Sequence, residues 1–159
     1  MSAFDEITGG LDYPMWVVTT ASGSERDGCL VGFASQCSID PARFVVWLSK
    51  ANRTFRIAGH SDTLVVHLLR EDDTKLAECF GGETGDEVDK LASVTWDDGP
   101  AGAPVLDGCD WFAGRVVDRV EGGDHVGFVL EPVGGEAAHP GAPALGYQAV
   151  RHIDSGHDA

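Results

Sequence analysis

Basic side chains are scarce in this 159-residue sequence: 11 lysines and arginines stand against 26 aspartates and glutamates, for a formal net charge of −15. Such a surface repels phosphate on average, which argues against nucleic acid as a partner, because nucleic-acid backbones reward clustered positive charge. Long apolar runs are also missing, and nothing approaches the roughly 20 consecutive apolar residues of a membrane-spanning helix. The opening MSAFDEITGG is acidic and has no apolar stretch, so it does not read as a secretory signal. The expectation is a cytoplasmic protein with neither a nucleic-acid nor a membrane partner. The four cysteines, Cys29, Cys37, Cys79 and Cys109, lie far apart without a CxxC pair, which removes the usual zinc and dithiol spacings. Among the six histidines there is no HExxH, and His139, His152 and His157 fall in a Gly/Pro-rich tail, so no metal site is expected.

What remains is globular: 43% hydrophobic and 23% charged residues, in a length that suits one domain without staples. Dense β-branched and aromatic runs mark strands at Pro14–Thr20, Cys29–Ser38, Arg43–Ser49, Thr63–Leu69, Ser93–Trp96, Trp111–Val120 and Val126–Val133. Turn chemistry separates them at Ala21–Ser24, at Asp40-Pro41 and at Glu121–Asp124. Short helices are expected at Phe55–Ala58, Glu71–Phe80 and Asp86–Leu91, with a loop over Asp97–Pro104. At least six short strands with few helices predict a closed β-barrel. On one regular strand Cys29 and Cys37 share a face. From Gly134 to Gly146 the composition is that of a flexible arm, Tyr147–Val150 reads as an added strand or a reach toward a partner subunit, and Ser155–Ala159 read as disordered.

One stretch inverts the charge balance. Between Pro41 and Ser61 there are four cations, Arg43, Lys50, Arg53 and Arg56, and no acid. Asn52 is a good N-cap and Gly59 a good stop for the helix between them. Positive charge at a helix start is either an anion site or an ordinary solvated cap. Gly32, inside a predicted strand, is either a barrel-corner kink or a place where backbone approaches a ligand.

The order Ser38-Ile39-Asp40-Pro41, then Ser49-Lys50-Ala51-Asn52-Arg53-Thr54, the strand Leu64–Leu69 and later Gly123-Asp124-His125 resembles the flavin reductase-like family, from about Tyr13 to about Val133. The resemblance implies a mainly β fold, an antiparallel, Greek-key-like split β-barrel with a few short surface helices. It further implies an NAD(P)H:flavin oxidoreductase that binds FMN or FAD, takes NADH or NADPH as co-substrate, forms a homodimer and supplies reduced flavin to a partner monooxygenase. By the same resemblance Leu30, Val31, Gly32 and Phe33 run along the isoalloxazine ring and ribityl chain. Lys50, Ala51, Asn52, Arg53 and Thr54 match the phosphate segment, with Ser38 and Ser49 as contributors, and His125 stands on the nicotinamide side. Relatives carry hydroxyl side chains where this sequence has Leu-Val-Gly-Phe, so backbone groups must replace side-chain bonds there. That departure keeps open a deazaflavin-type cofactor, another electron donor, or flavin binding without turnover.

Overall fold

The computed structural model describes residues 2–82 and 89–153. Its strands are β1 (Trp16–Ser22), β2 (Glu25–Val31), β3 (Ala34–Ser38), β4 (Arg43–Ser49), β5 (Thr63–Leu68), β6 (Trp96–Asp98), β7 (Pro104–Leu106), β8 (Asp110–Glu121) and β9 (His125–Glu136). The helices are α1 (Ala3–Gly9), α2 (Arg53–Ala58), α3 (Thr74–Gly82) and α4 (Tyr147–Val150), with 3₁₀ turns at Lys90–Ser93 and Pro100–Gly102. Seven strands make one sheet in the order β2-β1-β5-β8-β9-β4-β3, every neighbouring pair antiparallel. No helix among the described residues is long and apolar enough to cross a membrane.

The strand expected over Cys29–Ser38 is two strands on opposite edges of that sheet. β2 pairs with β1, whereas β3 pairs with β4. Only Gly32 and Phe33 separate them, so the sheet must curl until its two edges come together at this crossing. The barrel is therefore split at that point and not closed. The break also parts the two cysteines: Cys29 is buried and Cys37 exposed.

Burial follows the pleat. Val18, Leu64, Val66, Val46, Phe128 and Leu130 fill the inside of the curl. Val17 of β1 and Met15 just before it face outward but are buried under Ala77 and Phe80 of α3, Leu91, Leu106 and Val150. β1 is thus covered on both faces, which is why its sequence reads as an unbroken apolar run. His67 sits on the covered outer face of β5, fully buried. Its Nδ1–H donates to the Val17 carbonyl at 2.9 Å, and its Nε2 accepts from the Leu106 N–H at 3.0 Å. Burial pushes its pKa down to about 4, so it stays neutral.

Several boundaries differ from the sequence expectation. Ser93 belongs to a 3₁₀ turn, and the stretch read as a loop contains a small hairpin, Trp96–Asp98 against Pro104–Leu106. The helix expected over Asp86–Leu91 lies largely outside the described residues. The first residues form α1, closed by a capping box between Ser2 and Asp5. The glycines Gly134 and Gly135 extend β9, and the rest of the arm is tied down. Arg70 bonds the Ala142 and His139 carbonyls and the Asp110 carboxylate, which accepts the His139 N–H at 2.6 Å. Burial pushes the Asp110 carboxyl up, but these donors outweigh it and hold it below its ordinary value. Leu145 and Tyr147 continue the attachment through backbone bonds to Met15, Leu69 and Tyr13. Tyr147–Val150 is a helical turn on its own core and not a strand, with Val150 buried.

Candidate functional site

The Gly32–Phe33 crossing opens onto a cavity of about 430 Å³, within the few hundred Å³ typical of small-molecule sites. One wall is the end of β2 and the crossing, from Cys29 to Phe33. A second is the end of β4, Trp47–Ser49, with Asn52. His125 stands at the start of β9, Phe80, Gly81 and Lys90 come from the α3 side, and Tyr13, Tyr147 and Arg151 close the remaining side.

Pairing explains why segments far apart in sequence meet here. Ser49 is the cross-strand partner of His125, and the Lys50 N–H donates to the Asp124 carbonyl at 2.9 Å. The Asn52 side chain accepts the Thr54 N–H at 2.9 Å and caps α2, while the Ser49 hydroxyl accepts the Ala51 N–H at 3.3 Å. His125 Nδ1–H donates to the Asp124 carboxylate at 2.7 Å, and this bond holds the Asp124 carboxyl below its usual range.

Of the residues singled out in the sequence, Leu30, Val31, Gly32, Phe33, Ser49, Asn52 and His125 line the cavity. Ser38, Lys50, Ala51, Arg53 and Thr54 do not. Ser38 lies at the far end of β3 opposite Arg43. Thr54 is fully buried, and its hydroxyl donates to the Asp27 carboxylate at 3.2 Å. Lys50 is paired with Glu121, Arg53 with Glu25 at 3.4 Å and Arg43 with Glu131 at 3.5 Å. The sequence reading missed Tyr13, Tyr147, Lys90 and Arg151. Lys90 follows an acid-rich stretch and carries no local signal.

Gly32 is where the fold brings backbone closest to the cavity's aromatic wall. A Cβ there would stand 2.6 Å from Cε2 of Tyr13 and 3.3 Å from the Met15 sulfur. Tyr13 stacks on Tyr147 with centroids 4.9 Å apart and meets Phe33 at 6.3 Å, and Phe33 meets the His125 ring at 5.4 Å. Burial pushes the Tyr13 phenol and the Cys29 thiol up, the latter to about 11, so both stay neutral. Among the described residues the lining contains Lys90, Arg151 and His125 and no carboxylate, in a chain with more than twice as many acids as bases. A planar aromatic ligand carrying negative charge fits such walls, which is the description of a flavin nucleotide.

Comparison with known proteins agrees with this geometry. The chain is 28% identical over 114 residues to a flavin reductase of Rhizobium meliloti, covering 69% of this chain and 36% of that protein. It is 28% identical over 127 residues to the reductase subunit of a flavin-dependent monooxygenase of Rhodococcus jostii, covering 77% of this chain and 62% of that protein. The chain thus spans between about a third and two thirds of these relatives' own length. Among solved structures, the fold is shared with a flavin reductase domain protein of Arthrobacter, at a TM-score of 0.79 and 20% identity over 88% of this chain and 86% of that one. It is shared likewise with the NADH:FAD oxidoreductase of Streptomyces globisporus in complex with NAD and FAD fragments, at 0.78 and 24% over 89% and 84%. The model of the flavin reductase like domain matches residues 8–155, and the chain belongs to that family.

Proposed function

We propose that this chain is an NAD(P)H-dependent flavin reductase that supplies reduced flavin to a partner monooxygenase. The observation that carries the reading is the cavity, free of carboxylates among the described residues, walled by aromatic rings and fronted by His125. In the reaction the C4–H bond of the dihydronicotinamide breaks, both electrons go with the hydrogen to flavin N5, and a nicotinamide cation and a reduced flavin result. The protein's work is to align two planar groups and exclude water. Tyr13, Phe33 and Gly32 form one wall for a ring. His125, held by Asp124 and tilted against Phe33, orients the nicotinamide at the mouth, and its Nε2 remains open to the ligand. No proton need leave or reach the histidine. The Leu30–Phe33 segment offers backbone groups in place of hydroxyl side chains.

The nucleotide's phosphate lies over Ser49–Thr54. Lys50 faces it from the rim through an exposed ion pair with Glu121, and Arg53 through a partly buried pair with Glu25. An exposed pair is worth only about 0–1 kcal/mol, so a phosphate dianion can take over Lys50. The chain acts as a homodimer: Phe33, Ile39, Val117, Val120 and Val133 are exposed apolar residues on the split barrel, the kind of surface a second copy covers. Sedimentation at micromolar concentration checks this, and a monomer that binds flavin tightly contradicts it.

Steady-state kinetics of NADH and NADPH oxidation with added FMN or FAD test the function. His125→Ala should raise KM for the pyridine nucleotide and leave the flavin dissociation constant nearly unchanged, since it removes binding common to ground and transition states. Wild-type kinetics for the variant would remove His125 from the site.

A further inference from the structure

Lys90 is the one lysine of the cavity lining, and only 2% of it is exposed. Its ammonium donates to the Gly28 carbonyl at 3.1 Å and the Phe80 carbonyl at 3.3 Å. An ammonium has three donors, so one is left over. No carboxylate among the described residues forms an ion pair with it, whereas Arg26, Arg43, Lys50, Arg53, Arg70 and Arg115 each have one. Asp27, on the same strand as Gly28, is bonded to Thr54 and lies 3.9 Å from Arg53. A buried positive charge costs free energy unless something negative meets it.

The surroundings select the kind of anion. Lys90 shares the cavity with Cys29, Leu30 and Phe80, an apolar setting that disfavours a phosphate dianion with one ammonium to serve it. A single negative charge spread over a flat ring fits better. Building on the reductase reading above, we infer that Lys90 holds the negative charge of the reduced flavin ring, so that the cavity binds the reduced ring more tightly than the oxidised one. Hydride addition brings two electrons and one proton to a neutral ring, so its immediate product is a monoanion, which takes up a further proton only as pH falls below about neutrality. Lys90 meets the charge that the reaction creates. Oxidised flavin carries no ring charge and gains far less from it.

The test is a pair of anaerobic titrations of the full chain, one with oxidised FMN and one with photoreduced FMN. Loss of a charge-assisted bond corresponds to about one to two decades in affinity. Lys90→Met should therefore weaken the reduced form at least about tenfold more than the oxidised form, while Lys90→Arg keeps the preference. Equal losses for the two forms in a folded Lys90→Met protein overturn the inference. If Lys90→Met does not fold, the wild type still decides. Its preference for reduced over oxidised FMN should grow as pH rises from about 6 to about 8.5 and the ring ionises. The other groups facing the ligand, His125, Arg151, Tyr13 and the Cys29 thiol, and those near Lys90, Asp27 and Cys79, do not add positive charge over that range. A flat or falling preference overturns the inference as well. A wild type that binds neither form overturns the flavin reading itself, a result distinct from losing the redox preference alone.

Discussion

The surface of the barrel and its interior satisfy polar side chains in opposite ways. On the surface, Lys50 and Arg53 beside the cavity, and Arg43 at the far end of β4, each lie against a glutamate that solvent reaches. In the interior, Lys90 at the cavity wall and His67 under the outer cover of β5 are met by backbone groups, carbonyls for Lys90 and a carbonyl and an amide for His67. Exposed pairs can change partners at little cost, whereas a buried polar group that loses its partner bears the full desolvation penalty. The lesson is that a run of basic residues in sequence does not locate positive potential. It survives where the fold supplies no acid partner, and among the buried described residues that is at Lys90.

The comparison is broken most forcefully at His67. His67→Leu leaves the Leu106 N–H without its partner and removes the bond to the Val17 carbonyl, which should cost about 2–4 kcal/mol in urea unfolding. The same residue sets a pH dependence. Its folded pKa of about 4 lies below the ordinary 6.5, so the unfolded chain binds the proton first. Stability from this group is complete above about pH 6.5 and drains as pH falls toward 4, by up to roughly 3 kcal/mol. His67→Leu should lose that slope, and an unchanged slope would contradict the assignment.

At Gly32 the interior is tested for its ligand. Gly32→Leu drives a side chain into Tyr13, which is pinned between Phe33 and Tyr147. Flavin affinity should fall by at least about a hundredfold, near 2.7 kcal/mol, with flavin fluorescence as the readout. Retained affinity would put the ring elsewhere.

Thr54 separates fold from rim. Thr54→Val removes the bond to Asp27 and should cost about 1–2 kcal/mol of stability, while the ratio of FMN to riboflavin affinity stays as in the wild type. The smallest effects belong to the ion pairs. Lys50→Ala should lower the preference for FMN over riboflavin by about three- to tenfold, and Glu121→Gln, which frees Lys50, should raise it by a few fold. Equal losses for both flavins would show that Lys50 does not serve the phosphate.

Much of the sheet was legible because β1, β4, β5, β8 and β9 carry apolar, β-branched runs that end in turn residues. The break at Gly32–Phe33 was not, because apolar residues continue through it. Whether a strand pairs to its left or its right is decided by residues far away in the chain. The Gly/Pro composition after Gly134 suggested mobility, yet Arg70 and Asp110 fasten the segment through contacts roughly 30 to 70 residues apart in sequence. Of the site, the Leu30–Phe33 stretch, Ser49, Asn52 and His125 were legible through motif order. Lys90, Tyr13 and Tyr147 reach the cavity by tertiary packing alone. His67, set among Val65, Val66 and Leu68, gave no hint that Leu106 would supply its second partner.

The central claim is that the cavity reduces flavin and does not merely hold it. The direct measurement is nicotinamide oxidation, followed by absorbance under anaerobic conditions, with FMN or FAD present and absent. The account predicts flavin-dependent oxidation of NADH or NADPH with matching bleaching of the flavin. Tight flavin binding with no bleaching by either nucleotide would contradict it.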